Sequence, residues 1–77
     1  MASTIKINST QELGQLVRLT RKAQKLTQPQ LAAAAGVGIR FIVDLEKGKE
    51  TCQMGKAFHT LHMLGIKLMI EPWIHYE

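Results

Sequence analysis

The stretch T-Q-P-Q-L-A-A-A-A-G-V-G-I-R-F-I-V-D-L-E-K-G-K, residues 27–49, leaves the backbone few options. Thr27 followed three residues later by Gln30 has the T-x-x-Q form of a capping box, so a helix starts there. Pro29 falls in its first turn, where a missing N–H costs little. Leu31, Ala32 and Ala35 are expected to face inward, and Gly36 is placed to end the helix in the left-handed conformation. A second helix then spans about Gly38 to Lys47, burying Ile42, Leu45 and Phe41, with Gly48 as its stop. Two helices joined by about three residues must cross at roughly 90–120° with their backbones close. Four consecutive alanines permit that approach without opposing helix formation.

The flanking segments supply the rest of a small core. Residues 4–8, T-I-K-I-N, alternate and form either a short edge strand or an extended arm. Ser9 and Glu12 have capping-box spacing, so a first helix begins there and runs to about Gln24. Leu13, Leu16, Val17 and Thr20 line one of its faces, while Arg21, Lys22 and Lys25 are read as a solvated face. A fourth helix covers about Cys52 to Leu64, with Met54, Ala57, Phe58, Leu61 and Leu64 on one stripe and Gly65 as its stop. After it, I-K-L-M-I-E-P-W changes to a period of two. Ile66, Leu68 and Ile70 alternate with Lys67, Met69 and Glu71, predicting a strand that Pro72 ends. Its partner is either the N-terminal arm or a second copy of the chain. The resulting division is an arm at 1–8, a helical domain at 9–65, and a strand with a tail at 66–77.

Seventy-seven residues make one small domain whose modest core predicts help from oligomerisation. The single cysteine, Cys52, has no intramolecular partner, which fits a reducing cytoplasm. No apolar run approaches the roughly 18 residues of a membrane span, and the first residues lack the pattern of a secretion signal. Ten Lys and Arg against six Asp and Glu give a net charge of +4 and a pI near 9.6, a mild bias toward polyanions. Placement sharpens it, because Arg18, Arg21, Lys22, Lys25, Arg40 and Lys47 all fall within residues 18–47, with Lys49 just beyond.

At Thr27-Gln28, Leu31-Ala32, Gly36, Ile42 and Leu45-Glu46-Lys47-Gly48-Lys49 the chain resembles the Cro/CI-type (XRE-family) helix-turn-helix repressors. Arg40-Phe41 through Lys49, then Leu61 to Gly65 with the segment Ile66 to Ile70, bring it nearest to the HipB-like antitoxins. The resemblance covers about residues 9 to 65. It implies a mostly α, four-helix, lambda-repressor-like domain with a short C-terminal β-strand that pairs across a homodimer through Ile66, Leu68 and Ile70. It further implies a bacterial, nucleoid-associated repressor that acts on a palindromic double-stranded operator and binds a HipA-like serine/threonine kinase toxin.

Within such a fold, side chains at the front of the third helix read base edges while others hold phosphates. Ile39, Arg40, Val43 and Asp44 project outward by position. Arg40 is the principal reader, since a bidentate Arg–guanine contact is the commonest specific one. Ile39 suits a thymine methyl. Asp44 either accepts from a cytosine amino group or orients Arg40 from the (i, i+4) position. The resemblance implies that Gln28 holds a phosphate at a helix N-terminus, and Lys47 and Lys49 add phosphate contacts. Gly38 is grouped with these phosphate positions, although it stands where Ser or Thr usually caps the recognition helix. Glu46 is assigned to structure, paired with Arg18 or Arg21. Trp73 is a dimer anchor, a lid on the core or a partner contact.

His59 and His62 with Cys52 match no closed zinc set, so no metal and no cofactor are expected. No nucleophile–base pair, phosphate-cradling loop or carboxylate pair stands in a recognisable setting, so the chain is not read as an enzyme. Three roles remain: a dimeric DNA-binding repressor, an antitoxin that is also such a repressor, or a solitary phage-type regulator with no toxin partner.

Overall fold

Four helices account for the regular structure in the computed structural model, which describes residues 4–70: α1 (Thr10–Ala23), α2 (Gln28–Ala35), α3 (Ile39–Lys47) and α4 (Met54–Met63). Each early start is chemically capped. The Ser9 hydroxyl accepts from Glu12 N at 3.1 Å, and the Glu12 carboxylate accepts from Asn8 N at 2.6 Å, one residue ahead of the reciprocal bond a full capping box would make. At α2 the box is complete. Thr27 Oγ1 accepts from Gln30 N at 3.2 Å, and Gln30 Oε1 accepts from Thr27 N at 2.8 Å. Gly36 ends α2 at φ 69°, and Val37 N returns to Ala32 O at 3.0 Å. Lys25, closing α1, takes φ 60° without being glycine, a conformation that costs an L residue about 1–2 kcal/mol.

The core is built from Val17, Leu31, Ala32, Ile42, Leu45, Ala57, Leu61 and Leu64, so all four helices contribute. α3 packs on both α1 and α2, and α4 closes against α2. Two side-chain bonds tie distant ends together. Thr10 Oγ1 donates to Gly48 O at 2.7 Å, and Gln24 Nε2 donates to Leu64 O at 2.8 Å.

Three expectations are corrected. First, only half of the alanine run faces inward. Ala32 and Ala35 are buried, but Ala33 and Ala34 are exposed, because four consecutive residues turn through most of a full circle around the helix. The backbones come very close where α1 crosses α3. A Cβ on Gly14 would stand 2.5 Å from Leu45 O and 2.6 Å from Glu46 O. A Cβ on Gly48, itself at φ 81°, would stand 2.6 Å from Gln11 Cα. Second, α4 is turned about its axis. Thr60 is fully buried, its hydroxyl satisfied on Lys56 O at 2.8 Å, while Met54 and Phe58 are 69% and 48% exposed. Third, residues 66–70 form no strand among the described residues, and residues 4–8 do not pair with them. A strand requires ladder partners, and the described residues offer none there. Ile66 packs against the core, whereas Leu68 and Ile70 are exposed. The expectations for Pro72, Trp73 and the end of the tail lie outside the described residues.

Candidate nucleic-acid interface

The placement of α3 depends on a charge cluster beneath it. Arg21 Nε donates to Glu46 Oε2 at 2.6 Å and Arg21 Nη2 donates to Glu46 Oε1 at 3.1 Å, a two-point clasp between α1 and α3. Arg21 Nη1 donates to Leu26 O at 2.7 Å, and Gln28 Nε2 donates to Glu46 Oε1 at 3.1 Å. The Arg21 guanidinium therefore ties the end of α1 to the link into α2 and to the last turn of α3, and the Glu46 carboxylate adds the first turn of α2 through Gln28. The Arg21 and Glu46 side chains are only 9% and 5% exposed. No buried side-chain polar atom among the described residues lacks a partner.

This cluster settles the choice between Arg18 and Arg21 for Glu46 and removes Arg21 from the solvated face. A signal for it was present: Arg21 follows the fully buried Val17 by four residues, so the two share a side of α1. Gln28 joins the same carboxylate from α2, a contact its spacing alone did not announce.

On the opposite side of α3 a second set of charges faces outward. The Arg40 side chain is 81% exposed, and its Nε lies 3.4 Å from Asp44 Oδ1 across one helical turn. Lys49 Nζ lies 3.5 Å from Asp44 Oδ2. Lys49 N also donates to Asp44 O at 3.0 Å, which closes the chain past Gly48 back onto α3. Asp44, at 17% exposure, thus holds one cation on each carboxylate oxygen. Ile39 is half exposed beside Arg40, Val43 is partly buried, and Lys47 is exposed. Contacts join Arg40, Asp44 and Lys49, while Ile39 stands at the start of α3 and Lys47 at its end. Gly38 caps α3 in an extended conformation with no side-chain bond and open space around its Cα. Gln28 sits apart from this set, on the Glu46 carboxylate.

Cys52 lies close enough to the outer cluster to feel it. Partial burial pushes its thiol pKa up, the charge of Asp44 adds to the rise, and Lys49 opposes it. No group of three or more His, Cys, Asp or Glu among the described residues could hold a metal ion. No helix among them is long and apolar enough to cross a membrane.

Comparison with known proteins gives this geometry a family. No protein-family model matches the chain. A curated relative, the uncharacterised HTH-type transcriptional regulator y4mF of Sinorhizobium fredii, is 51% identical over 65 residues, which span 84% of this chain and 86% of the relative. Among solved structures, the chain is similar to one in a complex of a HipB variant with an O2 20mer, at TM-score 0.82 and 24% identity over 94% of this chain and 100% of that one. It is similar also to one in a HipA–HipB–O2–O3 complex, at TM-score 0.82 and 22% identity over 92% and 100%. At such identities the likeness is one of fold. The identity to the curated relative goes further: the chain belongs to the HTH-type transcriptional regulators.

Proposed function

We propose that the protein is a dimeric, sequence-specific repressor that lays α3 in the major groove of a palindromic operator. The observation that carries this reading is the outward Arg40–Asp44–Lys49 set, standing on a helix that a buried ion pair holds in place. Arg40 reads a guanine edge, and Ile39 and Val43 supply apolar contact to neighbouring bases. Asp44 orients Arg40, since both of its oxygens already hold cations. Lys47 and Lys49 hold phosphates, Gly38 lets the backbone at the start of α3 approach one, and Gln28 offers the amide hydrogen that Glu46 leaves free. Ile66, Leu68 and Ile70 pair with the same residues of a second subunit. That pairing supplies the ladder that the described residues of one chain lack and sets two α3 helices about one turn of duplex apart.

The same reading gives the chain a second partner, a HipA-like kinase toxin, with the repressor acting as its antitoxin. It draws support from the fold likeness to chains in HipB complexes, one of which also contains HipA. The solitary-regulator reading requires that no such toxin accompany the chain.

Fluorescence anisotropy on a selected palindrome and on a scrambled duplex tests the DNA contacts. Arg40→Ala is expected to weaken the palindrome by the equivalent of about 1–3 kcal/mol more than the scrambled duplex. Lys47→Ala is expected to weaken both alike and to flatten the salt dependence by about one unit of slope. Equal losses from Arg40→Ala on both duplexes would remove it as a base reader. Sedimentation at micromolar concentration tests the dimer, and a monomer there would defeat the strand pairing. Co-expression with a HipA-like kinase tests the antitoxin role, which fails if growth is not rescued.

A further inference from the structure

We infer that Asp44 is a specificity-determining residue that acts by suppressing binding to non-cognate DNA. The inference rests on the proposed placement of α3 in the major groove and adds to it the role of a negative charge on a surface meant for a polyanion.

Such a charge is costly there unless it has a use. Asp44 stands in the middle of α3 with its carboxylate between two cations that have different tasks. Arg40, ahead of it by one turn, is the base reader. Lys49, beyond the end of the helix, is a phosphate contact. Each cation lies against a separate oxygen, Arg40 Nε at 3.4 Å and Lys49 Nζ, which donates, at 3.5 Å, both long for a direct ion pair. Both partners are well exposed, Arg40 at 81% and Lys49 at 56%, whereas Asp44 is held in place at 17%. The carboxylate is the fixed member, and the cations are the members that can leave. The other carboxylate on α3, Glu46, is buried beneath the helix and already occupied by Arg21 and Gln28. Asp44 therefore supplies the negative charge that α3 sets beside its outward cations.

In free protein this arrangement lowers the positive potential that would draw any duplex. On arbitrary DNA, Arg40 gains only phosphate attraction, and leaving Asp44 offsets much of that gain. On a cognate site Arg40 meets guanine O6 and N7, a two-point contact that exceeds what it gives up at Asp44. An exposed pair of this kind is worth roughly 0.2–1 kcal/mol, or about 1.4- to 5-fold in an equilibrium. Two such pairs are enough to change a specificity ratio by about an order of magnitude.

Asp44→Asn removes the charge and keeps the shape. The variant is expected to bind a scrambled duplex about threefold to tenfold more tightly than wild type, to gain little or lose on the selected palindrome, and to steepen the salt slope on scrambled DNA by up to about one unit. Asp44→Glu keeps the charge and is expected to restore most of the discrimination. A thermal melt checks that each variant is folded, and Asp44→Ser replaces Asp44→Asn if that variant is not. A palindrome-to-scrambled ratio and a salt slope both unchanged in the folded, uncharged variant would overturn the inference. So would a uniform loss on both duplexes. Failure of wild type itself to bind any selected duplex is a separate result, which sinks the DNA reading rather than the role of Asp44.

Discussion

Asp44 and Glu46 stand two residues apart on one helix, yet they do opposite work. Glu46 turns inward, where Arg21 grips it at two points and Gln28 at a third, and solvent hardly reaches the group. Asp44 turns outward and holds Arg40 and Lys49 loosely, at longer distances and with both cations largely in water. The difference is one of dielectric more than of residue type. A buried ion pair is rigid, and breaking it strands a charge in a poor solvent. An exposed pair contributes little to stability and can be exchanged for another anion at small cost. The inner pair therefore positions the helix, and the outer pair equips it to meet a partner.

Breaking each pair in turn is the largest test of this contrast. Glu46→Ala leaves the Arg21 guanidinium buried and unpaired and is expected to cost about 3–5 kcal/mol. Asp44→Ala is expected to cost no more than about 1 kcal/mol. Urea unfolding of the two variants measures both, and comparable losses would mean that the inner cluster does not hold the fold.

The crossing beside the inner pair gives the next largest effect. Gly14→Ala places a methyl against two carbonyl oxygens of α3, at Leu45 and Glu46, and is expected to destabilise by about 1–3 kcal/mol. The same chemical denaturation reads it, and a neutral or stabilising result would show that the α1–α3 approach can relax. A smaller effect of opposite sign is expected from Lys25→Gly. It relieves a left-handed residue at the end of α1, offset in part by the greater freedom of glycine when unfolded, for a net gain of up to about 1 kcal/mol. A loss of stability would contradict it.

The smallest effect uses Cys52 as a reporter on the outer pair. Burial raises its thiol pKa first and Asp44 adds to the rise. Removing the Asp44 charge is therefore expected to lower that pKa and to speed thiolate alkylation at mildly alkaline pH. An alkylation rate indifferent to Asp44→Asn would show that the two groups do not sense each other.

Local chemistry made much of this fold readable in the sequence. The Thr27–Gln30 box, Pro29 and Gly36 define α2 because caps and stops act within one turn, and the structure places them as their chemistry requires. Arg40 and Asp44 could be paired from spacing alone, since a helix brings i and i+4 together. What escaped depends on longer range or on other chains. Thr60 is polar by residue type, and the apolar pattern of α4 points to Met54 and Phe58 instead. Its hydroxyl bonds within its own helix, which lets the residue go inside and turns the other two out. Gly14 reads as a weak point in a helix until α3 is laid across it. Residues 66–70 carry the alternation of a strand, but a ladder belongs to two segments, and one sequence displays only one of them.

The claim on which the account turns is that Arg40 meets a guanine edge in the major groove. Methylation of guanine N7 in a selected palindrome, with wild type and Arg40→Ala each bound at saturation, tests it most directly. Wild type is expected to shield a guanine in each half-site, and Arg40→Ala to lose that shielding while the remaining pattern persists. An identical pattern for the two proteins would contradict the account.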